Sequence, residues 1–329
     1  MLTKILIIRF SSIGDIILTT PVIRCIKQQF EGETEIHYLT KKKFASILEA
    51  NPYITKLHTI EDKVSEVTSS LKGVQFDYVI DLHNNIRSAL VKRKLKGLSF
   101  TVNKINLRKW LMVNFKINRL PDVHIVDRYM DTLKLFSVKN DCNGLDYFIP
   151  DKEEVDLSSL PESHREGYLG FAIGAKHKTK CLPLDKIISI CKKIGKPIVL
   201  LGDADDKEKA ETIKGSVGNT IFNACGKYSI NQSASLVRQA EKIITHDTGL
   251  MHVAAAFKKD IVSVWGNTIP EFGMYPYLTG TGVGGMGTII EIKNLSCRPC
   301  SKLGFKKCPK KHFKCMNLID EEEIVEAIG

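Results

Sequence analysis

Residues 4–30 read KILIIRFSSIGDIILTTPVIRCIKQQF, and their pattern decides the fold. Lys4–Arg9 is a short apolar run rich in isoleucine, the composition of a buried parallel strand. The loop Ser11-Ser12-Ile13-Gly14-Asp15 follows. Ile16–Phe30 then reads as a helix, with Pro21 tolerable only near its first turn. Strand, glycine-containing loop and helix open a βαβ unit. Glu35–Leu39 predicts a second strand and Lys42–Glu49 a helix. Tyr78–Leu82 predicts a third strand, ending in the polar loop His83-Asn84-Asn85. Strands alternating with helices imply an α/β protein with a parallel, doubly wound sheet.

The pattern weakens over Asp151–Gly167, which is rich in Glu, Ser and Pro and reads as a linker. It then restarts. Strands are predicted at Tyr168–Ile173, Ile198–Leu201, Lys242–Thr245 and Ile261–Trp265. Helices fit Leu184–Ile194, Asp206–Lys214, Ser229–Ala240, Gly249–Ala256 and Glu321–Ile328. Two successive Rossmann-like domains follow from this, residues 1–155 and 156–329.

The chain has 329 residues, 43% of them hydrophobic, at a mean hydropathy of −0.08, enough for two cores. Its net charge of +11 is unevenly placed: residues 1–150 carry 23 Lys and Arg against 15 Asp and Glu, and the remainder 25 against 22. A basic first half suits an anionic partner as well as a plain solvated surface. Arg9 and Asp15 interrupt the apolar start, and no small-residue cleavage site follows. No run reaches the roughly 18 apolar residues of a membrane span. The expectation is a cytoplasmic protein whose nine cysteines are mostly reduced thiols.

Ligands of open α/β sheets sit beyond the carboxyl ends of the strands. Three loops of the second domain stand there. Gly174-Ala175-Lys176-His177-Lys178-Thr179-Lys180 sets four basic or potentially basic side chains beside a glycine, suited to a diphosphate. Gly202-Asp203-Ala204-Asp205-Asp206 follows the next strand. His246-Asp247-Thr248-Gly249-Leu250-Met251-His252 opens a helix, whose N-terminal N–H groups favour phosphate.

His246–Phe257 (HDTGLMHVAAAF) resembles the D-T-G-x-x-H-x-A-A motif of the heptosyltransferases, glycosyltransferase family 9. Ile7–Pro21 is similar to the family's R/K-x-S-S-x-G-D opening, and Asp77–Ala89 (DYVIDLHNNIRSA) to its D-L-x-x-N-x-R-S segment. Gly202–Glu208, Asn223–Gly226 with the helix after it, and Val264–Thr268 (VWGNT) match further segments in the family's order. The resemblance implies a GT-B architecture, two facing Rossmann-like domains, with acceptor in the first and donor in the second. It implies inverting, metal-independent transfer of heptose from ADP-heptose to the lipopolysaccharide inner core, with no cofactor required. Asp15 falls on the family's catalytic base, a role its chemistry allows; as a residue beside a helix start it is equally suited to capping. Lys180 falls on the lysine that contacts donor phosphate. Leu182 replaces the usual aromatic before Pro183, so Lys178 stays a candidate beside Lys180. Gly174, Ala175, Lys176, Asp203, Asp247, Thr248, Gly249 and His252 complete the donor set, His252 sharing a helix face with Thr248.

Asp203-Ala204-Asp205 also spells D-x-D, a metal–nucleotide motif of another fold; after a Rossmann strand, ribose contact or solvation is favoured. Ser12, Gly14, Asn85 and Arg87 are acceptor candidates. The run Lys92-Arg93-Lys94-Leu95-Lys96 is a candidate for acceptor contact or for peripheral contact with the cytoplasmic face of the inner membrane, as well as for a solvated helix face. Inner-core acceptors are anionic, which suits cations. Cys297, Cys300, Cys308 and Cys315 read as packed loop thiols, with structural zinc the alternative, because the later spacings match no known zinc module.

A nicotinamide dehydrogenase should show G-x-G-x-x-G after its first strand, and Arg9–Asp15 holds one glycine. A nucleic-acid binder should interleave basic and aromatic side chains; aromatics are only 8%, and nucleic acid is not an expected partner. A related transferase using another nucleotide sugar or acceptor is the remaining alternative.

Overall fold

The structure, a computed structural model, describes residues 2–278 and 287–329. It divides into two compact units, Met1–Lys104 with Val123–Pro150, and Ile105–Asp122 with Asp151–Gly329.

In the first unit β1 (Leu2–Ile8) leads to α1 (Ile13–Ile17) and α2 (Thr20–Gln29). Then come β2 (Glu33–Lys41), β3 (Lys56–Ile60), α3 (Ser65–Val74), β4 (Tyr78–Asp81), α4 (Ile86–Leu95) and β5 (Leu98–Thr101). The strands pair in parallel in the order β3-β2-β1-β4-β5. The single helix expected over Ile16–Phe30 is two. Pro21 has no N–H to give and its ring crowds the carbonyl four residues back, so the helix restarts with the proline in its first turn. The hydroxyls of Thr19 and Thr20 donate to the carbonyls of Ile16 (2.6 Å) and Ile17 (2.8 Å), satisfying backbone acceptors at the break. The helix expected at Lys42–Glu49 is a 3-10 turn over Lys42–Ile47. One face of the sheet buries Leu6, Ile8, Leu39, Ile60 and Val79 against Val67, Leu71 and Val91 of α3 and α4. Each such side chain contributes about 1.5–3 kcal/mol.

The chain next forms α5 (Asn106–Phe115), which groups with the second unit, and then α6 (Ile125–Met130), which returns to the first. The segment expected to be a linker is three 3-10 turns beginning at Asp151. It is tied to the second unit: the Ser235 hydroxyl accepts from the Val155 N–H (3.0 Å) and donates to Glu154 (2.8 Å).

The second unit runs β6 (Leu169–Ala172), α7 (Leu184–Ile194), β7 (Ile198–Leu201), α8 (Lys207–Val217), β8 (Ile221–Asn223), α9 (Ile230–Gln239), β9 (Lys242–His246), α10 (Gly249–Ala256), β10 (Asp260–Trp265), β11 (Thr288–Glu291), α11 (Lys314–Asn317) and α12 (Glu321–Ile328). Its parallel strand order, β11-β10-β9-β6-β7-β8, is 3-2-1-4-5-6 read from the other edge and renumbered from β6. That is the doubly wound Rossmann order. Phe171, Leu200, Ile244, Val262 and Ile290 form its core with Ile187 and Ile190 of α7, Ile213 of α8 and Ile324 of α12.

Candidate functional site

In each sheet the strand order reverses direction beside the first strand, between β1 and β4 and between β6 and β9. These are the switch points at which such sheets bind ligands, and both carry charged side chains.

At the end of β1, Arg9 is 7% exposed and fully engaged. Its guanidinium donates to the carbonyls of Leu82 (2.6 Å) and Ser11 (2.8 Å) and to the Tyr129 hydroxyl (3.0 Å). It also pairs with Asp15 at 2.6 Å. Burial alone would lower the guanidinium, but Asp15 with Tyr129 and Tyr38 more than offsets it and holds Arg9 above its ordinary value. Asp15 is the third residue of α1. Its other oxygen accepts from the Ser12 N–H (3.1 Å) and Ser12 hydroxyl (2.7 Å), the carboxylate half of a capping box. Capping and a position at the switch point therefore coexist in Asp15. Ser12 is exposed and Gly14 buried.

At the end of β4, the fully buried Asp81 accepts from the N–H groups of His83 (3.0 Å) and Asn84 (2.7 Å) and pairs with Lys92 (2.9 Å). His83 sits edge-on to Phe10, and burial followed by the Arg9 charge lowers it to about 3, so it is neutral at pH 7. Arg87 lies 5.7 Å over the other ring partner, Phe10. Asn85 spends its carbonyl oxygen on the N–H of Ser88 (2.9 Å) as the N-cap of α4.

In the second unit Lys180 reaches Asp247 at the end of β9. Its ammonium pairs with Asp247 Oδ2 at 2.5 Å and donates to the Asp247 carbonyl at 3.3 Å. The Thr268 hydroxyl donates to the same Oδ2 (2.8 Å). The floor beneath is His246, buried and lowered to about 3 by burial and then by Lys209, so that its neutral Nε2 accepts from the Leu182 N–H (3.0 Å). Thr248 is the N-cap of α10 but makes no capping hydrogen bond with its side chain, so the half-buried Thr248–Gly249 turn keeps backbone donors that its own cap does not take. His252 is 3% exposed and lies one turn along α10 from Thr248.

Gly174 is required by close approach: a Cβ there would run into the Asp206 carboxylate. Burial and then Asp203 raise Asp206 above the usual carboxylate range. Asp203 accepts from the Asp205 N–H (2.9 Å) and caps the turn into α8. Ala175 is half-buried and Lys176 exposed. Lys178 is exposed and lines a cavity of about 410 Å³ with Lys306, Lys307, Lys311 and Phe313; the two lysines left open by the sequence thus have different surroundings. All nine cysteines are free thiols. Among the described residues no group of three His, Cys, Asp or Glu side chains is placed to hold a metal ion. Cys297 lies 3.8 Å from His312.

Three residues carried no role in the sequence reading. Arg9 read as an interruption of the apolar start and as the R/K position of a quoted segment, without a role of its own; a lone cation closing an apolar strand was its signal. Thr268 lay inside a quoted segment. Arg298 donates to the carbonyls of Gly266 (2.6 Å) and Thr268 (2.8 Å) and pairs with Glu291 (2.5 Å), fixing the loop after β10 that presents Thr268. Nothing in its local sequence announces this.

The sequence profile of glycosyltransferase family 9 (heptosyltransferase) matches residues 64–303. The chain is 27% identical to lipopolysaccharide heptosyltransferase 1 of Campylobacter coli over 289 residues, 80% of this chain and 84% of the relative. A glycosyl transferase family 9 structure from Veillonella parvula superposes with a TM-score of 0.76 at 22% identity, covering 99% of this chain and 96% of that one. The Escherichia coli heptosyltransferase WaaC with ADP gives 0.66 at 19% identity, covering 99% of each. The chain belongs to glycosyltransferase family 9. It is a glycosyltransferase with the GT-B fold, two parallel-sheet α/β units.

Proposed function

We propose that the protein transfers heptose from ADP-heptose to an anionic acceptor of the lipopolysaccharide inner core, with inversion and without a metal ion. The observation that carries this reading is the Lys180–Asp247–Thr268 cluster at the switch point of the second sheet, beside the open N-terminus of α10. An ammonium and free backbone N–H groups in one place suit a nucleoside diphosphate. The relatives' names support the sugar and acceptor, and the ADP in the WaaC structure supports the nucleotide for that protein.

In this reading the acceptor hydroxyl oxygen attacks the anomeric carbon, and Asp15 takes the hydroxyl proton. The bond from that carbon to the diphosphate breaks on the opposite face, and ADP leaves with the electron pair. Lys180 exchanges Asp247 for the diphosphate and offsets the charge that builds on it. Arg9 positions Asp15, since its own bonds to Leu82, Ser11 and Tyr129 fix it. Metal independence is supported by Asp203, whose side chain is occupied in capping. Gly174, Ala175, Lys176, Lys178, Thr248, Gly249 and His252 belong to the donor side, and Ser12, Gly14, Asn85 and Arg87 to the acceptor side.

The test is thermal unfolding with ADP, UDP, GDP, CMP and NAD, with and without EDTA. ADP at a hundredfold excess over Kd should stabilise by about 2.7 kcal/mol, with EDTA making no difference. Selective stabilisation by UDP or GDP would reassign the donor, and loss of the ADP effect in EDTA would overturn metal independence.

A further inference from the structure

We propose that α5 and the turn after it form a membrane-docking element that takes an anionic lipid surface. The inference goes beyond the proposed function and does not rest on it. None of the ten residues of α5 is buried, and two opposite faces explain why. Lys109, Met112, Val113 and Lys116 recur at the 3.6-residue period and face the protein. Lys109 lies 5.6 Å over the Phe272 ring, Lys116 donates to the Pro299 carbonyl (2.6 Å), and Met112 and Val113 between them are half-buried. Leu107, Trp110 and Leu111 fall on the opposite side and continue into Phe115. Leu107 is 69% exposed, Trp110 50%, Phe115 59%, and Ile117 just beyond it 46%. Trp110 and Phe115 pack edge to face at 5.2 Å, so these exposed residues form one apolar patch. Single exposed apolar side chains need no explanation, but a contiguous stripe on a surface helix does.

Charge selects the occupant. Residues 104–119 contain Lys104, Arg108, Lys109, Lys116 and Arg119 and no Asp or Glu; Lys109 and Lys116 face the protein, whereas Arg108 and Arg119 are exposed beside the stripe. A Trp/Phe/Leu stripe flanked by cations alone is the composition of a helix lying in the headgroup plane of an anionic bilayer. The exposed arginines, with no acidic residue near them in the segment, also oppose a second copy of the chain, because a two-fold contact would set like against like.

The experiment uses the full chain, without donor or acceptor, and vesicles of phosphatidylethanolamine with phosphatidylglycerol or of phosphatidylcholine alone. The chain has two tryptophans, and Trp265 is buried, so a change in emission reports Trp110. Trp110 emission should shift to the blue and the protein should sediment with the phosphatidylglycerol vesicles only, less so as salt is raised. W110S/F115S and, separately, R108E/R119E should each weaken binding at least ~tenfold, with melting temperatures close to the parent because all four residues are exposed. Equal binding to phosphatidylcholine, no binding to either vesicle, or variants that bind like the parent would overturn the proposal. So would a dimer at micromolar concentration that shields Trp110 from a soluble quencher.

Discussion

At the end of β1 the cation is the fixed partner: Arg9 is locked by two carbonyls and a tyrosine, and its side chain is 8% exposed against 22% for Asp15. At the end of β9 the acid is the fixed partner. Asp247 is held by Thr268, and Lys180 comes to it from the loop after β6, the two side chains being similarly exposed at 15% and 13%. One switch point thus carries a carboxylate against a fixed cation and the other an ammonium against a fixed carboxylate. In the proposed mechanism the same sheet topology, with its ion pair held from opposite ends, would offer a proton acceptor in one unit and an anion partner in the other.

The largest effect should come from breaking the presented groups. Asp15→Asn should lower kcat by about 10²–10⁴ and Lys180→Ala by about 10²–10³, measured by sugar transfer at saturating donor, with the far-UV spectrum unchanged. Equal, small losses from both would break the comparison. Arg9→Met should cost about 3 kcal/mol in urea unfolding, since it strands the mostly buried Asp15 and two carbonyls; Lys180→Ala should cost visibly less, because Asp247 keeps Thr268. Gly174→Ala forces a methyl group onto Asp206 and should destabilise by about 1–3 kcal/mol. The last effect is nil at neutral pH. His83 and His246, one in each unit, sit at about 3 when folded against an ordinary 6.5. The unfolded chain therefore binds protons first, so the stability they contribute is whole above pH 6.5 and drains as the pH falls toward 3. A urea midpoint flat across that interval would contradict the burial of both.

How much of this was legible follows from burial. β1, β6, β7 and β10 are mostly apolar and could be read at once, β9 carries a central Ile243-Ile244 pair, and α10 spans the Gly249–Ala256 read from the sequence. β3 and β5 could not. Each is short, and β5 is largely exposed on the sheet edge, so no apolar run marked it. Nor did α5 carry an inward apolar stripe, since its protein-facing side includes two lysines. Pro21 was weighed correctly as a first-turn residue, but the second helix start it requires was missed. At the site, Asp15 and the Asp247–Gly249 turn stood out through glycine and aspartate at strand ends, whereas Arg9, Thr268 and Arg298 act through partners far away in sequence. Asn85 was read for its chemistry, and its Oδ1 also caps α4.

The most direct test of the division of labour is calorimetric titration of ADP into the parent, Asp15→Asn and Lys180→Ala proteins. The account predicts that Asp15→Asn binds ADP like the parent while transferring sugar about 10²–10⁴ more slowly, and that Lys180→Ala binds at least ~tenfold more weakly, as expected for loss of one charge-assisted contact. Full ADP affinity in Lys180→Ala, or its loss in Asp15→Asn, would contradict it.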